Sequence, residues 1–402
     1  MHSELEQFER NNVWNLVPRP ESSNVIGTKW IFKNKTDEQV EGVDFDETFA
    51  PVARLESIRL LLAFACVLKI KLFQMDVKSF ENPHFPNHVF KLKKALYGLK
   101  QAPRAWYERL TTFLCDKGYK RGSVDKTLFI QKFKNGITIA QIYVDDIVFG
   151  STSKQKLDEF IEYMSSEFEM SMVGELNYFL GLQVKQFDKG IFITQNKYAK
   201  NLVKRFGLDN KKHIKTPMGT NDKLSKDENG TPIDPTLYRS MIGSLLYLTA
   251  SRPDISYSVC VCARYQSSPK ESHLKAVKRI IRYINGTTEL GILYSSDTTT
   301  NLVGFSDADW AGDVDDRKST TGGCFYLGNN LVSWYSKKQN CVSLFTAESE
   351  YIALGSCCSQ MLWMRQMLDF VTTENQIADI FTKALDFQRF NYLKQSLGAC
   401  SL

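Results

Sequence analysis

Two apolar runs joined by a pair of adjacent carboxylates constrain the fold of this chain more than any other feature. Residues 137–142 and 147–149 are rich in β-branched and aromatic side chains, which predicts two strands. The connection Tyr143-Val144-Asp145-Asp146 then forms a hairpin with both acids at its tip. Adjacent carboxylates supply the hard oxygen ligands that Mg²⁺ prefers. An Asp-Asp turn that simply faces water is the alternative.

A third carboxylate follows another predicted strand. Residues 70–75 alternate apolar and polar like a half-buried strand, and Asp76 closes the run. If this strand and the hairpin share one antiparallel sheet, Asp76, Asp145 and Asp146 form a two-metal site. In a two-metal site, two Mg²⁺ ions about 3.5–4 Å apart activate a hydroxyl and stabilise a leaving group. Taken alone, Asp76 fits a strand-ending surface residue better than a metal ligand.

Long blocks of sequence surround these acids. They are Val25-Ile26-Gly27-Thr28-Lys29-Trp30, Phe45-Asp46-Glu47-Thr48-Phe49-Ala50-Pro51-Val52, Gln74-Met75-Asp76-Val77-Lys78-Ser79, Ala95-Leu96-Tyr97-Gly98-Leu99-Lys100-Gln101-Ala102-Pro103-Arg104, Phe179-Leu180-Gly181-Leu182 and Ser251-Arg252-Pro253-Asp254-Ile255. In content and order, and together with the Tyr143–Asp146 motif, they resemble the reverse transcriptase–ribonuclease H region of Ty1/copia-type retrotransposon Pol polyproteins, especially those of plants. The resemblance covers nearly the whole chain.

The resemblance implies an α+β fold with a right-hand polymerase. Fingers and palm, built on an antiparallel sheet, are expected at residues 1–220, a helical thumb or connection at 221–295, and a truncated ribonuclease H-like α/β module at 296–402. Residues 215–235 are rich in Pro, Gly, Asn and Asp, which is typical of a linker. Helices are predicted at residues 55–68, 103–117, 156–168, 238–249, 253–264, 272–284 and 347–368, and further strands at 178–184, 190–194, 302–307, 323–327 and 331–335.

The resemblance also implies the partners of the polymerase site. Asp76, Asp145 and Asp146 are the expected catalytic acids and ligands of Mg²⁺ (or Mn²⁺). RNA template and DNA primer, an RNA–DNA hybrid and deoxynucleotides are the expected partners. The expected nucleic-acid contacts are Lys91, Lys100, Gln101, Arg104, Phe179 and Gly181.

Local sequence around these contacts allows other interpretations. Basic residues between Lys91 and Arg109 alternate with Tyr97, Trp106 and Tyr107, a pattern that suits a groove along a nucleic-acid backbone. A second basic stretch, residues 270–282, fits such a groove or a solvated helix face equally well. In the family, residues 179–182 correspond to the grip that places the primer end. Without the resemblance they fit an ordinary amphipathic hairpin.

Three acids near the C-terminus match the ribonuclease H pattern. Asp307 ends a predicted strand, Glu348 lies in the first turn of a predicted helix that Thr346 caps, and Asp379 lies in the block 374–380 that resembles the last helix of the family. The resemblance implies a metal-binding role for them. A first-turn Glu also complements the helix dipole, and Asp379 fits a surface helix acid.

Three deletions separate this chain from the family pattern. After Asp37-Glu38 it lacks the segment whose cations hold the nucleotide triphosphate. After Ser79 it lacks the segment with the aromatic residue that checks the nucleotide 2′ position. Near Phe370-Val371 it lacks a strand that carries one acid and a His-rich segment. We therefore expect impaired or lost polymerase activity and no ribonuclease H activity. A nucleic-acid-binding remnant without catalysis, or an inert fragment of a decayed element, are the alternatives.

Cysteine content and apolar runs bear on the compartment. The nine cysteines include no CxxC pair and no accompanying histidine cluster, so we expect free thiols in a reducing compartment and no zinc site. The charged start of the chain predicts no signal peptide. The longest apolar run, residues 60–68, is too short to span a bilayer. An intracellular protein of the cytoplasm or nucleus, without a membrane partner, is expected.

Overall fold

The computed structural model describes residues 14–18, 52–77, 88–92, 102–134, 136–144, 146–168, 170–220 and 222–372. These residues form a mixture of α-helices and antiparallel sheets, which agrees with the α+β class predicted from sequence. The helices are α1 (Leu55–Val67), α2 (Ala102–Asp116), α3 (Lys154–Glu167), α4 (Asn196–Arg205), α5 (Pro235–Leu248), α6 (Ser256–Ala263), α7 (Glu271–Asn285) and α8 (Thr346–Thr372), with a 3₁₀ turn at Pro253–Ile255.

The strands pair in four antiparallel sheets. Most of the strands predicted from alternation and β-branched runs are confirmed within a few residues. They are β1 (Trp14–Pro18), β2 (Leu72–Val77), β3 (His88–Leu92), β4 (Lys120–Arg121), β5 (Leu128–Phe133), β6 (Gly136–Tyr143), β7 (Asp146–Ser151), β8 (Met170–Glu175), β9 (Tyr178–Phe179), β10 (Leu182–Phe187), β11 (Gly190–Thr194), β12 (Gly291–Ser295), β13 (Leu302–Ala308), β14 (Thr320–Leu327) and β15 (Asn330–Lys338).

The largest sheet, here called the central sheet, has the strand order β4-β5-β6-β7-β2-β8. Successive residues of a strand face opposite sides, and both sides of this sheet are covered. Ile147 and Phe149 of β7 pack with α2 and α3 on one face. Val148, between them, packs with α1 on the other. The catalytic hairpin predicted from sequence, β6–β7, therefore lies in the middle of a three-layer unit.

A second sheet has the order β12-β11-β10-β9 and lies beside a bundle of α4, α5, α6 and α7. Its outer strand β12 follows the bundle in the chain but pairs with β11, which precedes it. The sequence predicted one continuous strand at residues 178–184. The structure instead has β9 and β10, because Leu180 and Gly181 form a turn between them.

The C-terminal sheet has the order β13-β14-β15 and packs against α8. Among the described residues, no strand pairs with the outer edge of β13. The third deletion predicted from sequence, near residue 370, would lie close to the end of α8, and that helix continues to Thr372. The other two predicted deletions, after residues 38 and 79, fall outside the described residues.

One buried arginine of α1 connects the three parts of the molecule. Arg59 is 3% exposed. Its guanidinium donates to the carbonyls of Val332 in β15 (2.9 Å) and Ala250 after α5 (3.0 Å), and it lies 4.1 Å from the ring centre of Trp334. Helix α1 thus packs between the central and C-terminal sheets, and their hydrophobic cores are continuous. No helix in the described part of the chain is long and apolar enough to cross a membrane.

Candidate active site

The β6–β7 hairpin closes through a tight turn in which Tyr143 pairs with Asp146. Val144, the first residue of this turn, has a φ of +53°. A β-branched residue in the left-handed region is a genuine outlier, and such strain persists only where the surroundings hold it. Asp145 lies outside the described residues. The turn therefore needs external support, and three neighbouring elements provide it.

Helix α2 supports the turn from below. The Trp106 indole N–H donates to the Val144 carbonyl (2.8 Å). Its ring packs edge-on against Phe168 at a centroid distance of 5.0 Å. The sequence suggested Trp106 and Tyr107 as aromatic residues that alternate with basic ones along a nucleic-acid groove. The structure gives both of them internal contacts instead, because Tyr107 is buried and its hydroxyl donates to the Lys126 carbonyl (2.7 Å).

Strand β2 supports the acid at the start of β7. The Gln74 side-chain amide donates to Asp146 Oδ1 at 2.8 Å. The strand register pairs Met75 with Ile147, so the next backbone position, Asp76, comes opposite Asp146. Asp76 was predicted to close the strand, and it is the last residue but one of β2, which begins at Leu72 after a left-handed residue at Lys69 (φ +54°).

Strand β9 supports the first residue of the motif. Phe179 is buried, and its ring meets Tyr143 edge-on at 6.2 Å. The next two residues, Leu180 (φ +48°) and Gly181 (φ +79°), form the β9–β10 turn. Tyr247 of α5 donates its hydroxyl to the Leu180 carbonyl (2.9 Å), and burial raises the pKa of that phenol. Helix α5 therefore fixes the turn that adjoins the hairpin.

The structure does not bring the predicted nucleic-acid contacts together among the residues that it describes. The backbone of Lys91 pairs with Asn15 in the two-stranded sheet β1–β3. Arg104 lies on α2 and forms an ion pair with Glu108 (2.9 Å), the one acid in its sequence neighbourhood. Lys100 and Gln101 lie outside the described residues. The Phe179 side chain is buried. It can therefore affect a bound nucleic acid only indirectly, through the position of Tyr143 and of the adjoining turn.

The C-terminal acids have a different geometry. Asp307 is exposed on the edge strand β13. Glu348 accepts a hydrogen bond from the Leu344 amide (2.6 Å) at the start of α8. Glu350, which the sequence did not indicate, reaches β13 and accepts from the Ala308 amide (3.2 Å). Thr346, predicted to cap α8, is its first helical residue. Asp379 lies outside the described residues.

The best-supported carboxylate of the C-terminal region was not a predicted site residue. Asp313 is 5% exposed and pairs with Lys338 (2.6 Å) and Arg264 (3.0 Å). Burial alone would raise its pKa. Hydrogen bonds from Lys338 and from the amides of Asp315 and Asp316 oppose burial and lower the pKa to about 2. Asp313 thus joins the end of α6 to β15 and has a structural role.

A divalent cation fits the chemistry around the hairpin. No group of three Asp, Glu, His or Cys side chains is close enough to hold a metal among those that the structure describes, which include neither Asp145 nor the Asp76 side chain. Asp76 and Asp146 come one residue beyond Met75 and Ile147, the last registered pair of β2 and β7, and one oxygen of Asp146 accepts from a neutral amide. Carboxylates from neighbouring strands are suitable ligands for Mg²⁺.

Sequence reasoning missed the residues that hold the hairpin in place. Gln74 lies in one of the blocks that carry the resemblance, and Trp106 was assigned to a nucleic-acid groove. Their roles at the hairpin depend on contacts between elements distant in sequence. Gln141, two residues before Tyr143, is fully buried and donates to Asp125 Oδ2 (3.2 Å). A polar residue inside the apolar run 137–142 was the available signal. It indicates a buried polar network beneath the hairpin.

Comparison with known proteins gives one sequence family and several relatives. Residues 11–82 and 78–220 match the family described as reverse transcriptase (RNA-dependent DNA polymerase). The Retrovirus-related Pol polyprotein from transposon RE1 of Arabidopsis thaliana is 37% identical over an alignment of 404 positions, and the aligned part covers 92% of this chain. The corresponding polyprotein from transposon TNT 1-94 of Nicotiana tabacum is 33% identical over an alignment of 413 positions, and the aligned part again covers 92% of this chain.

These relatives differ from the chain in extent. The chain spans 28% of the length of the RE1 polyprotein and 31% of that of TNT 1-94. An uncharacterized mitochondrial protein of Arabidopsis thaliana is 37% identical over 222 residues, which make up 55% of this chain and 92% of that protein. The family match is divided into two segments that meet at residues 78–82, next to the deletion predicted after Ser79.

Proposed function

We propose, from the premise that this chain belongs to the reverse transcriptase family and corresponds to the reverse transcriptase-like region of copia-type Pol polyproteins, that its β6–β7 hairpin is a site of divalent-cation-dependent nucleotidyl transfer. Asp76, Asp145 and Asp146 are the proposed cation ligands. The observation that carries the proposal is the convergence of β2, α2 and β9 on this turn, with Gln74 on Asp146, Trp106 on Val144 and Phe179 on Tyr143.

The cation and the protein have separate tasks at this site. Mg²⁺, or Mn²⁺ in its place, would activate the primer hydroxyl and neutralise charge on the departing pyrophosphate. The chain holds the ligands in a fixed geometry. Catalytic groups need to be placed within about 0.5 Å, and the contacts of Gln74 and Trp106 restrict both the acid and the turn that carries it.

Module names follow from this proposal. The central sheet with α1, α2 and α3 corresponds to a palm. The fingers are the other part of residues 1–220. Residues 221–295, with most of the helical bundle, correspond to a thumb or connection. Residues 296–402, with the C-terminal sheet and α8, correspond to an incomplete ribonuclease H-like module. The expected substrates are an RNA template, a DNA primer and deoxynucleotides.

A second candidate function is nucleic-acid binding without catalysis. The division of the family match at residues 78–82 supports it, because a deletion there removes residues that the family places beside the nucleotide. The acids would then persist without the elements that position a substrate. Template–primer would still bind through Lys91, Lys100, Gln101 and Arg104 and through the turn at Phe179 and Gly181.

Primer extension on an RNA template separates the two candidates. We expect weak Mg²⁺-dependent incorporation of deoxynucleotides by the full chain, which Asp145→Asn or Asp146→Asn abolishes because each removes the charge of a ligand. Asp158→Asn, on an exposed position of α3, is the matched control and retains activity. Extension that persists in the double Asp145→Asn, Asp146→Asn variant would exclude the hairpin as the site.

Template–primer affinity measured against salt concentration tests the binding candidate. Replacing Lys91, Lys100 and Arg104 together with Ala should weaken binding. Each lost phosphate contact should reduce the log–log slope by roughly 0.7–0.9. Binding without detectable extension in the unaltered chain favours the second candidate. A slope that is the same before and after substitution would mean that these residues do not contact phosphate.

A further inference from the structure

We propose that Gln74 is a positioning residue for Asp146, whose side-chain amide orients the carboxylate for the divalent cation. This inference deepens the proposed function and depends on it. Gln74 lies two residues before Asp76, so Gln74 and Asp76 are on the same face of β2. The amide donates to Asp146 Oδ1 at 2.8 Å across the β2–β7 pair. The contact joins the strands that carry two of the three proposed ligands.

An irregularity in the neighbouring strand lies at the same position. On its other side β2 pairs with β8, where Gln74 is opposite Gly174 and Met75 is opposite Met172. Val173 is therefore the extra residue of a β-bulge, and Gly174 has a φ of +110°. Bulges increase the local twist and redirect side chains, and they are frequent beside active sites. This one adjoins the residue that contacts Asp146.

A neutral amide suits this position better than a charged group. Three carboxylates close together repel one another, and a fourth acid would increase that repulsion. A lysine would neutralise Asp146 and compete with the cation for it. A glutamine amide donates one hydrogen bond to Asp146 Oδ1 and adds no charge. Partners of metal ligands act in this way, and their loss typically lowers metal affinity or activity about 10- to 100-fold.

The experiment measures Mn²⁺ binding to the full chain by calorimetry, in the absence of nucleic acid and nucleotides. Gln74→Met preserves the shape of the side chain and removes the donor. Gln74→Lys keeps a donor but adds a positive charge. The matched controls are Gln131→Met and Gln131→Lys, because the Gln131 amide, in β5 of the same sheet, donates to the Lys117 carbonyl and has no contact with the hairpin among the described hydrogen bonds. Asp146→Asn, alone and combined with Gln74→Met, completes the set.

We expect Gln74→Met to weaken Mn²⁺ binding about tenfold and Gln74→Lys to weaken it further, with both Gln131 variants unchanged. In the Asp146→Asn background, Gln74→Met should have little additional effect, because the two residues act as a unit. Thermal unfolding without cation checks the fold of each variant. If Gln74→Met lowers the midpoint of thermal unfolding more than Gln131→Met does, the Met variant has lost stability. The Mn²⁺ affinities are then compared for Gln74→Lys and Gln131→Lys.

Two results would overturn the inference, and they are distinguishable. Mn²⁺ affinity that falls in Asp146→Asn but is unchanged in Gln74→Met and Gln74→Lys would exclude a positioning role for Gln74 and leave the proposed site intact. Affinity that does not respond to Asp146→Asn would exclude the hairpin as the cation site, and the role of Gln74 with it.

Discussion

The two groups of acids in this molecule are held in opposite ways. At the β6–β7 hairpin, three elements distant in sequence converge on one turn and contact its carbonyl, its first aromatic ring and one of its carboxylates. In the C-terminal region, Asp307 lies on an edge strand, and Glu348 contacts only the start of its own helix among the hydrogen bonds described. The described ion pairs of that region lie instead at Asp313 and the nearby Asp316.

This difference distinguishes a candidate site whose acids are supported by neighbouring elements from a group of acids that lacks such support among the described residues. Preorganised acids need neighbours that restrict their rotamers, because a loosely held ligand loses the geometry that chemistry requires. The hairpin has such neighbours. The C-terminal sheet keeps its contacts with the rest of the chain through Arg59 and Asp313, and among the described residues none of these contacts involves Asp307 or Glu348. We therefore interpret it as a structural support for the central sheet.

The largest expected contrast is in nuclease activity. The full chain should not cleave the RNA strand of an RNA–DNA hybrid with Mg²⁺, because Asp307, Glu348 and Asp379 are at most three of the four acids of the family. Cleavage is measured on a labelled hybrid, with primer extension by the same preparation as the reference. Robust Mg²⁺-dependent cleavage that disappears in Glu348→Gln would contradict this prediction. Loss in Glu350→Gln alone would instead identify Glu350 as the functional acid.

A glycine substitution tests the support of the hairpin. Gly181→Ala should destabilise the protein by about 3 kcal/mol, because a left-handed residue gains a Cβ and that Cβ collides with the Tyr247 hydroxyl. Gly207→Ala is the control. It has a similar φ (+63°) but open space around the added methyl group, so about 1 kcal/mol is expected. Chemical denaturation measures both, and equal losses would show that the contact with Tyr247 contributes nothing.

Much of this architecture was predictable, and the reason lies in local sequence. Some elements could be predicted from the apolar pattern of a single segment. They are the strands beside Tyr143–Asp146, the helix at residues 55–67 and the C-terminal hairpin of β14 and β15. The contacts of Gln74, Trp106 and Arg59 could not, because each joins residues 38 or more positions apart. The turn at Leu180-Gly181 was missed because its conformation is fixed by Tyr247 of a distant helix.

The pH dependence of the free energy of unfolding tests the structural role of Asp313 in the C-terminal region. The folded pKa of Asp313 is about 2, below its ordinary value of 3.8. A depressed carboxyl pKa adds stability that is fully present above the ordinary value and is lost as pH falls through the folded value. Asp313 should thus contribute about 2 kcal/mol that disappears between about pH 4 and pH 2. Denaturation of Asp313→Asn should show a flatter pH profile there, whereas Asp188→Asn, in the exposed β10–β11 turn, should not.

The smallest expected effect distinguishes the two glutamates of α8. Glu348 accepts from the Leu344 amide beside the helix start, so Glu348→Ala should cost about 1 kcal/mol, as the loss of a helix cap does. Glu348→Gln keeps the acceptor and loses only the favourable charge near the helix N-terminus, about 0.5 kcal/mol. Glu350→Ala removes an acceptor of the Ala308 amide, and its main effect should be faster hydrogen exchange at that amide. The contrary outcome has two parts: neither Glu348 variant changes the unfolding midpoint, and Glu348→Gln weakens Mn²⁺ binding. Glu348 would then be a metal ligand and not a helix cap. The C-terminal acids would then resemble those of the hairpin more closely than their contacts indicate.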